Sequence, residues 1–141
     1  MKHVLFVCTG NSCRSVMAEG FFNKIASGRN LSWQASSAGT SALDGFSATD
    51  ETVRVMEEEE IDVSGHRRRR LTGQMVESAD KIFVMEHAHR DRIVEAWPMA
   101  AGKVFLLGPA DVPDPIGRED GYYREVLEII LGYVEKICGS L

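Results

Sequence analysis

Cys8, Arg14 and Ser15 stand close together in a short segment between an apolar run and a helical pattern, with five residues separating the cysteine from the arginine. Cysteine offers a sulfur nucleophile in its ionised form. Arginine offers a planar fork of N–H donors that matches two phosphate oxygens. A loop running into a helix adds backbone N–H groups that converge on one point, with the helix dipole behind them. Such a field favours the thiolate, so a sulfur facing a bound phosphate is placed to attack phosphorus. Cys8 alone would read equally as an apolar thiol buried at a strand end. Its spacing to Arg14 and Ser15 at a strand-to-helix junction is the restrictive feature. Gly10 stands alone in the loop and no Gly-Lys-Ser/Thr ending follows, so neither a dinucleotide loop nor a Walker loop is present.

A second candidate lies far along the chain in Asp111-Val112-Pro113-Asp114-Pro115-Ile116-Gly117. Phosphoryl transfer to sulfur needs a proton on the departing oxygen, then an activated water to release the phosphate. One carboxyl can serve both steps in turn. Prolines on either side of Asp114 stiffen its backbone and preset its position. Asp-Pro is also an ordinary turn former, so this pair acquires meaning only beside the Cys8 loop.

The elements that must bring these groups together follow from the apolar pattern. Val4 to Val7 is a continuous apolar run, as in a strand buried on both faces, and it ends at Cys8. From about Ser15, residues Met17, Ala18, Phe21, Phe22 and Ile25 recur at helical spacing, and Gly28-Arg29-Asn30 stops the helix. Alternation over Leu31 to Ser37 predicts a strand, and Ser37 to Phe46 reads as a loop. A helix is expected from about Thr49 to Glu59. Its acidic tail Glu57 to Glu60 opposes the helix dipole, so it should fray or lean on the arginines that follow. Leu71 to Ser78 predicts a short helix capped by Thr72, and Lys81 to Met85 a strand. His87 to Trp97 predicts a helix stopped by Pro98, and Lys103 to Leu107 a further strand. Gly108 to Glu119 is a loop, and Tyr122 to Cys138 a final amphipathic helix. Strands alternating with helices imply an α/β fold with a parallel sheet covered on both faces. Ligands in such sheets bind beyond the carboxyl ends of the strands, where the Cys8 loop and the loop after Leu107 both lie.

Composition bounds the rest. The 141 residues are expected to form a single domain spanning 1–141. No apolar stretch is long enough to cross a membrane, and the N-terminal apolar run ends in Cys8-Thr9-Gly10-Asn11 rather than in a signal-cleavage pattern. Three cysteines, an odd number, argue against a disulfide framework and for a reducing, cytoplasmic setting. No Cys/His cluster has zinc-ligand spacing. A net charge of −5 argues against nucleic-acid binding. The one basic run, His66-Arg67-Arg68-Arg69-Arg70, reads as a solvated surface or, beside an anionic substrate, as a steering patch.

Taken together, Val7-Cys8-Thr9-Gly10-Asn11-Ser12-Cys13-Arg14-Ser15 and the late Asp114-Pro115 resemble the low-molecular-weight protein-tyrosine-phosphatase family, over essentially the whole chain. The resemblance implies a three-layer αβα sandwich on a four-stranded parallel sheet of order 2-1-3-4. It also implies a cysteinyl-phosphate intermediate without metal or cofactor, and a phosphorylated protein as substrate. A monomer or weak dimer is expected. Carried over by position, Cys8 becomes the nucleophile, Arg14 the phosphate clamp, and Asp114 the acid and then the base. Thr9, Gly10, Asn11, Ser12, Cys13 and Ser15 complete the phosphate-binding loop, and Ser15 matches a hydroxyl that assists the departing thiolate. Asn11 matches an asparagine that holds the loop in shape, with Ser37 and His66 as partners, although His66 reads equally as a surface histidine. Cys13 matches a second loop cysteine that in the family can form a reversible disulfide with the nucleophile. Cys138 is expected to pack.

The chain departs from the tyrosine-specific pattern at three places. Ile116-Gly117 replaces the expected tyrosine after Asp-Pro. The loop near Leu43 lacks a ring, although Phe46 is close. Ser12 occupies a position usually held by a bulky apolar residue, whereas bacterial protein-arginine phosphatases of this fold carry a small hydroxyl residue there. A hydroxyl can accept from a guanidinium N–H that an isoleucine would leave unpaired, at a cost of about 1–3 kcal/mol. Phosphotyrosine is the expected substrate and phosphoarginine the alternative. The loop also resembles that of thioredoxin-coupled arsenate reductases, but the mid-chain cysteine pair such chemistry needs is missing between Arg14 and Ile137.

Overall fold

A computed structural model describes residues 1–141. Strand β1 (Lys2–Cys8) is central. It pairs in parallel with β2 (Trp33–Gly39) on one side and β3 (Lys81–Val84) on the other, and β3 pairs with β4 (Val104–Leu106). The order β2-β1-β3-β4 is the expected one, and every pairing is parallel.

Residues Val4 to Cys8 are buried, which is what a strand with helices on both faces requires. One face places Val4, Phe6 and Cys8 in a cluster with helices α1 (Arg14–Gly28), α2 (Asp50–Glu58) and α5 (Asp120–Gly139). The other places Leu5 and Val7 with Val76 of α3 (Gly73–Ser78), Ile93 of α4 (His87–Ala96) and Ala100 of a 3-10 helix, Pro98–Lys103. Alternate residues of one strand thus serve two cores. The strand's carboxyl end is fixed from both sides, and that is where the Cys8 loop begins.

Three differences from the sequence reading have physical causes. Strand β2 runs past Ser37 through Ala38 and Gly39, where the sequence reads as loop. Ser37 and Ala38 are buried there, and Asn11 of the loop after β1 bonds to Ser37. Pro98 ends α4 but then opens the 3-10 helix, as proline suits a first helical turn. The acidic end of α2 does not lean on Arg67–Arg70. Glu58 forms a two-point pair with Arg124 of α5, at 2.8 Å for each bond, and Lys24 Nζ donates to the Glu59 carbonyl at 2.8 Å. The pairing with Arg124 draws the Glu58 carboxyl below its ordinary value.

Candidate active site

The Cys8 loop is a hollow wrapped in hydrogen bonds. Asn11 sits in the left-handed region at φ +52°, a conformation asparagine tolerates better than most residues, and this curls the loop back on itself. Ser41 N donates to the Thr9 carbonyl at 2.9 Å, and Thr49 N to the Ser12 carbonyl at 3.1 Å. Gly39 lies directly beneath. A Cβ there would stand 2.8 Å from Asn11 N, so only glycine lets the end of β2 approach.

The side chain of Asn11 ties the loop to its surroundings. Its Nδ2 donates to Ser15 Oγ at 2.8 Å and to Ser37 Oγ at 2.9 Å, and Ser37 Oγ donates to Glu19 Oε1 at 2.7 Å. Ser15 Oγ accepts from Asn11 and is 2.9 Å from Cys8 Sγ, so its own proton is directed to the sulfur. Asn11 Oδ1 accepts from Arg69 N at 2.9 Å, and the Asn11 carbonyl lies 2.9 Å from His66 Nε2. Ser37 and His66 are therefore the expected partners of Asn11, and His66 is not a bystander. Nor is the basic run wholly solvated, because Arg69 also donates through Nε and a terminal nitrogen to the Ser37 carbonyl.

Helix α1 starts at Arg14, with Cys13 as a cap whose side chain makes no capping bond and with no acid in the first turn. The backbone N–H groups from Gly10 to Ser15 donate to no other protein group. Beside them lies a cavity of about 260 Å³ lined by Cys8, Ser12, Arg14, Arg68, Asp114 and Ile116 among others. Free amides at the start of a helix, with its dipole behind them, suit an anion.

Arg14 is 2% exposed, and its guanidinium is oriented from behind. One terminal nitrogen donates to Glu86 Oε2 at 2.6 Å and to the Val112 carbonyl at 2.8 Å. The other lies 3.6 Å from Asp114 Oδ2. Asp114 comes from the loop after β4, and its Oδ1 accepts from Ile116 N at 3.1 Å. The proline-flanked carboxylate therefore faces the same cavity as the Cys8 sulfur. The Cys13 sulfur lies 3.5 Å from the hydroxyl of Tyr123. Burial raises the Tyr123 phenol above its usual range, and the bond to Cys13 adds to this. Cys138 packs on α5, and burial likewise pushes its thiol up.

Glu19, Glu86 and His89 also belong to the site and were not singled out in the sequence. His89 Nδ1 accepts from Glu86 N at 3.1 Å, which leaves the ring proton on Nε2, directed at Thr9 Oγ1 2.8 Å away. Burial lowers the pKa of His89 despite the nearby Glu86 carboxylate. The neutral ring thus joins the start of α4 to the loop. The available signal was position: Glu86 and His89 directly follow β3, at the carboxyl edge where ligands bind. No group of three or more His, Cys, Asp and Glu side chains is arranged to hold a metal ion.

Comparisons with known proteins agree with this geometry. The family model described as low molecular weight phosphotyrosine protein phosphatase matches residues 3–141. A probable low molecular weight protein-tyrosine-phosphatase of Ralstonia nicotianae is 38% identical over 133 residues, covering 92% of this chain and 89% of its own. A protein-arginine-phosphatase of Bacillus subtilis is 36% identical over 142 residues, 94% of each chain. The crystal structure of a low molecular weight protein tyrosine phosphatase from T. tengcongensis superposes with a TM-score of 0.97 at 37% identity, over 100% of both chains. On the family match across nearly its whole length, the chain belongs to the low molecular weight phosphotyrosine protein phosphatase family.

Proposed function

We propose that this protein hydrolyses phosphotyrosine in phosphorylated proteins through a cysteinyl-phosphate intermediate, with Cys8, Arg14 and Asp114 as its catalytic residues and residues 1–141 acting as one domain. The observation that carries the reading is the convergence of a sulfur, a buried guanidinium and a proline-flanked carboxylate on one amide-lined cavity. The phosphoryl group seats among the N–H groups of Gly10 to Ser15, with Arg14 binding two of its oxygens. The Cys8 thiolate attacks phosphorus, forming an S–P bond as the P–O bond to the phenol breaks. Asp114 gives its proton to the departing oxygen. Asp114 then takes a proton from water. The water oxygen bonds to phosphorus, the S–P bond breaks, and the Ser15 hydroxyl steadies the returning thiolate. Catalysis by a free thiolate needs a reducing compartment, so we place the protein in the cytoplasm. No helix is long and apolar enough to cross a membrane.

A second reading, protein-arginine phosphatase, has one specific observation in its favour. Ser12 is 6% exposed, lines the cavity and presents a small hydroxyl at its floor. Parallel assays on phosphotyrosine and phosphoarginine peptides test both readings, with Ser12→Ile as the control. The first reading expects faster turnover of phosphotyrosine that Ser12→Ile leaves in place. A preference for phosphoarginine that Ser12→Ile reverses would establish the second.

A further inference from the structure

The arginine run is more than a frame for Asn11. Its backbone is pinned against the loop that walls the cleft. Arg68 N donates to the Phe46 carbonyl at 2.8 Å, Gly45 N to the Arg68 carbonyl at 2.9 Å, and Arg70 N to Asp44 Oδ1 at 2.6 Å. Arg68 lines the cleft, and Arg70 lines a neighbouring hollow. That second hollow, about 210 Å³, is lined by Thr40, whose chain neighbour Ser41 lines the cleft. From its far side, Arg92 of α4 donates to Ser41 Oγ at 3.3 Å. Leu71 and Trp97 supply an apolar floor.

The charges here are unmatched. The chain carries a net charge of −5, and two of its exposed arginines are paired, Arg54 with Asp120 and Arg124 with Glu58. Neither Arg70 nor Arg92 has a carboxylate within 4.0 Å of its guanidinium, and nor does Arg68. Two exposed guanidinium groups bordering an apolar floor, next to a phosphate-sized cavity, are complementary to a carboxylate on a short alkyl stem.

Building on the phosphatase reading, the geometry points to a second recognition subsite, formed by Arg70 and Arg92, for an acidic side chain flanking the phosphorylated residue of a protein substrate. The phosphoryl group enters the Cys8 cavity. The substrate chain passes over Thr40–Ser41, and a neighbouring Glu or Asp meets Arg70 and Arg92, its methylenes resting on Leu71 and Trp97. The subsite selects among phosphorylated proteins and takes no part in bond breaking.

Paired phosphopeptides differing only in Glu or Gln at the flanking positions test this, made once with phosphotyrosine and once with phosphoarginine and read on whichever series turns over faster. In the wild-type protein the Glu peptide should have a kcat/KM about tenfold higher, carried by KM. The preference should shrink as salt is raised. In the double variant Arg70→Gln/Arg92→Gln the Glu-to-Gln ratio should fall to near one. A ratio near one in the wild type, or one that survives in the double variant, overturns the subsite. Turnover of p-nitrophenyl phosphate, measured alongside, separates the two claims. Hydrolysis of that ester without flank preference defeats the subsite alone, whereas no hydrolysis by the wild type defeats the phosphatase reading and the subsite with it.

Discussion

The floor and the rim of the cleft are built by opposite rules. On the floor, Cys8, Asn11, Ser12, Arg14 and Ser15 are all buried, and each polar side chain has a named partner. On the rim, Leu43 is 64% exposed and Ile116 53%, and both come from loops. The floor fixes where an oxyanion sits and how the sulfur and guanidinium face it, to the tolerance that phosphoryl transfer demands. The rim, together with the Ser12 hydroxyl of the floor, meets the side chain that delivers the phosphate. Chemistry and choice of substrate are thus housed in different regions that meet at Ser12.

That division is open to attack from the floor first. Cys8→Ala should lower kcat for an aryl phosphate by at least about 10⁴-fold, since it removes the group that forms the intermediate. Phosphate binding, read by calorimetry, should survive in that variant. Asp114→Asn should cost about 10²–10⁴-fold on a poor alkyl leaving group and much less on p-nitrophenol, which needs little protonation. A uniform loss across leaving groups would remove Asp114 from the acid role.

Gly39→Ala attacks the floor without touching a reacting atom. The added Cβ must displace the backbone at Asn11, so a loss of about 1–3 kcal/mol in unfolding free energy is expected, together with a lower kcat. His89 supplies a test by pH. Its folded pKa lies below the ordinary histidine value because of burial, so the unfolded chain binds the extra proton more readily. The stability it secures is complete above about pH 6.5 and is lost as pH falls from there toward its lowered folded value. Protonation would place a hydrogen on Nδ1 against Glu86 N–H. His89→Asn should flatten that part of the stability–pH curve, as measured by chemical denaturation. The rim should respond least. Ile116→Tyr is expected to lower KM for an aryl phosphate by about twofold to tenfold with kcat little changed, as an added ring stacks beside the substrate.

How far the sequence disclosed this site depended on where each residue sits along the chain. Cys8 to Ser15 are contiguous, so their spacing carried the geometry directly. Asp114 became meaningful only beside them. Glu19, Glu86 and His89 carry ordinary helix or helix-start residue types, and their roles arise from folding partners such as Ser37, Arg14 and Thr9 that are distant in sequence. Ser37 falls where the predicted strand meets the predicted loop, and Gly39 reads as loop because small residues are usual there. Here one hydroxyl is buried in a hydrogen-bond chain and one missing side chain admits the Cys8 loop. The fold was readable from alternating apolar runs, and the order of its sheet from the family resemblance.

The central claim is that the phosphoryl group passes through the Cys8 sulfur. Rapid acid quenching of Asp114→Asn during turnover of an aryl phosphate, followed by peptide mass spectrometry, tests it most directly. The account predicts the added mass of one phosphoryl group on the peptide containing Cys8, localised to that sulfur and absent from Cys8→Ala. A phosphoryl group on any other residue, or steady turnover with no phosphorylated enzyme at any time point, would contradict it.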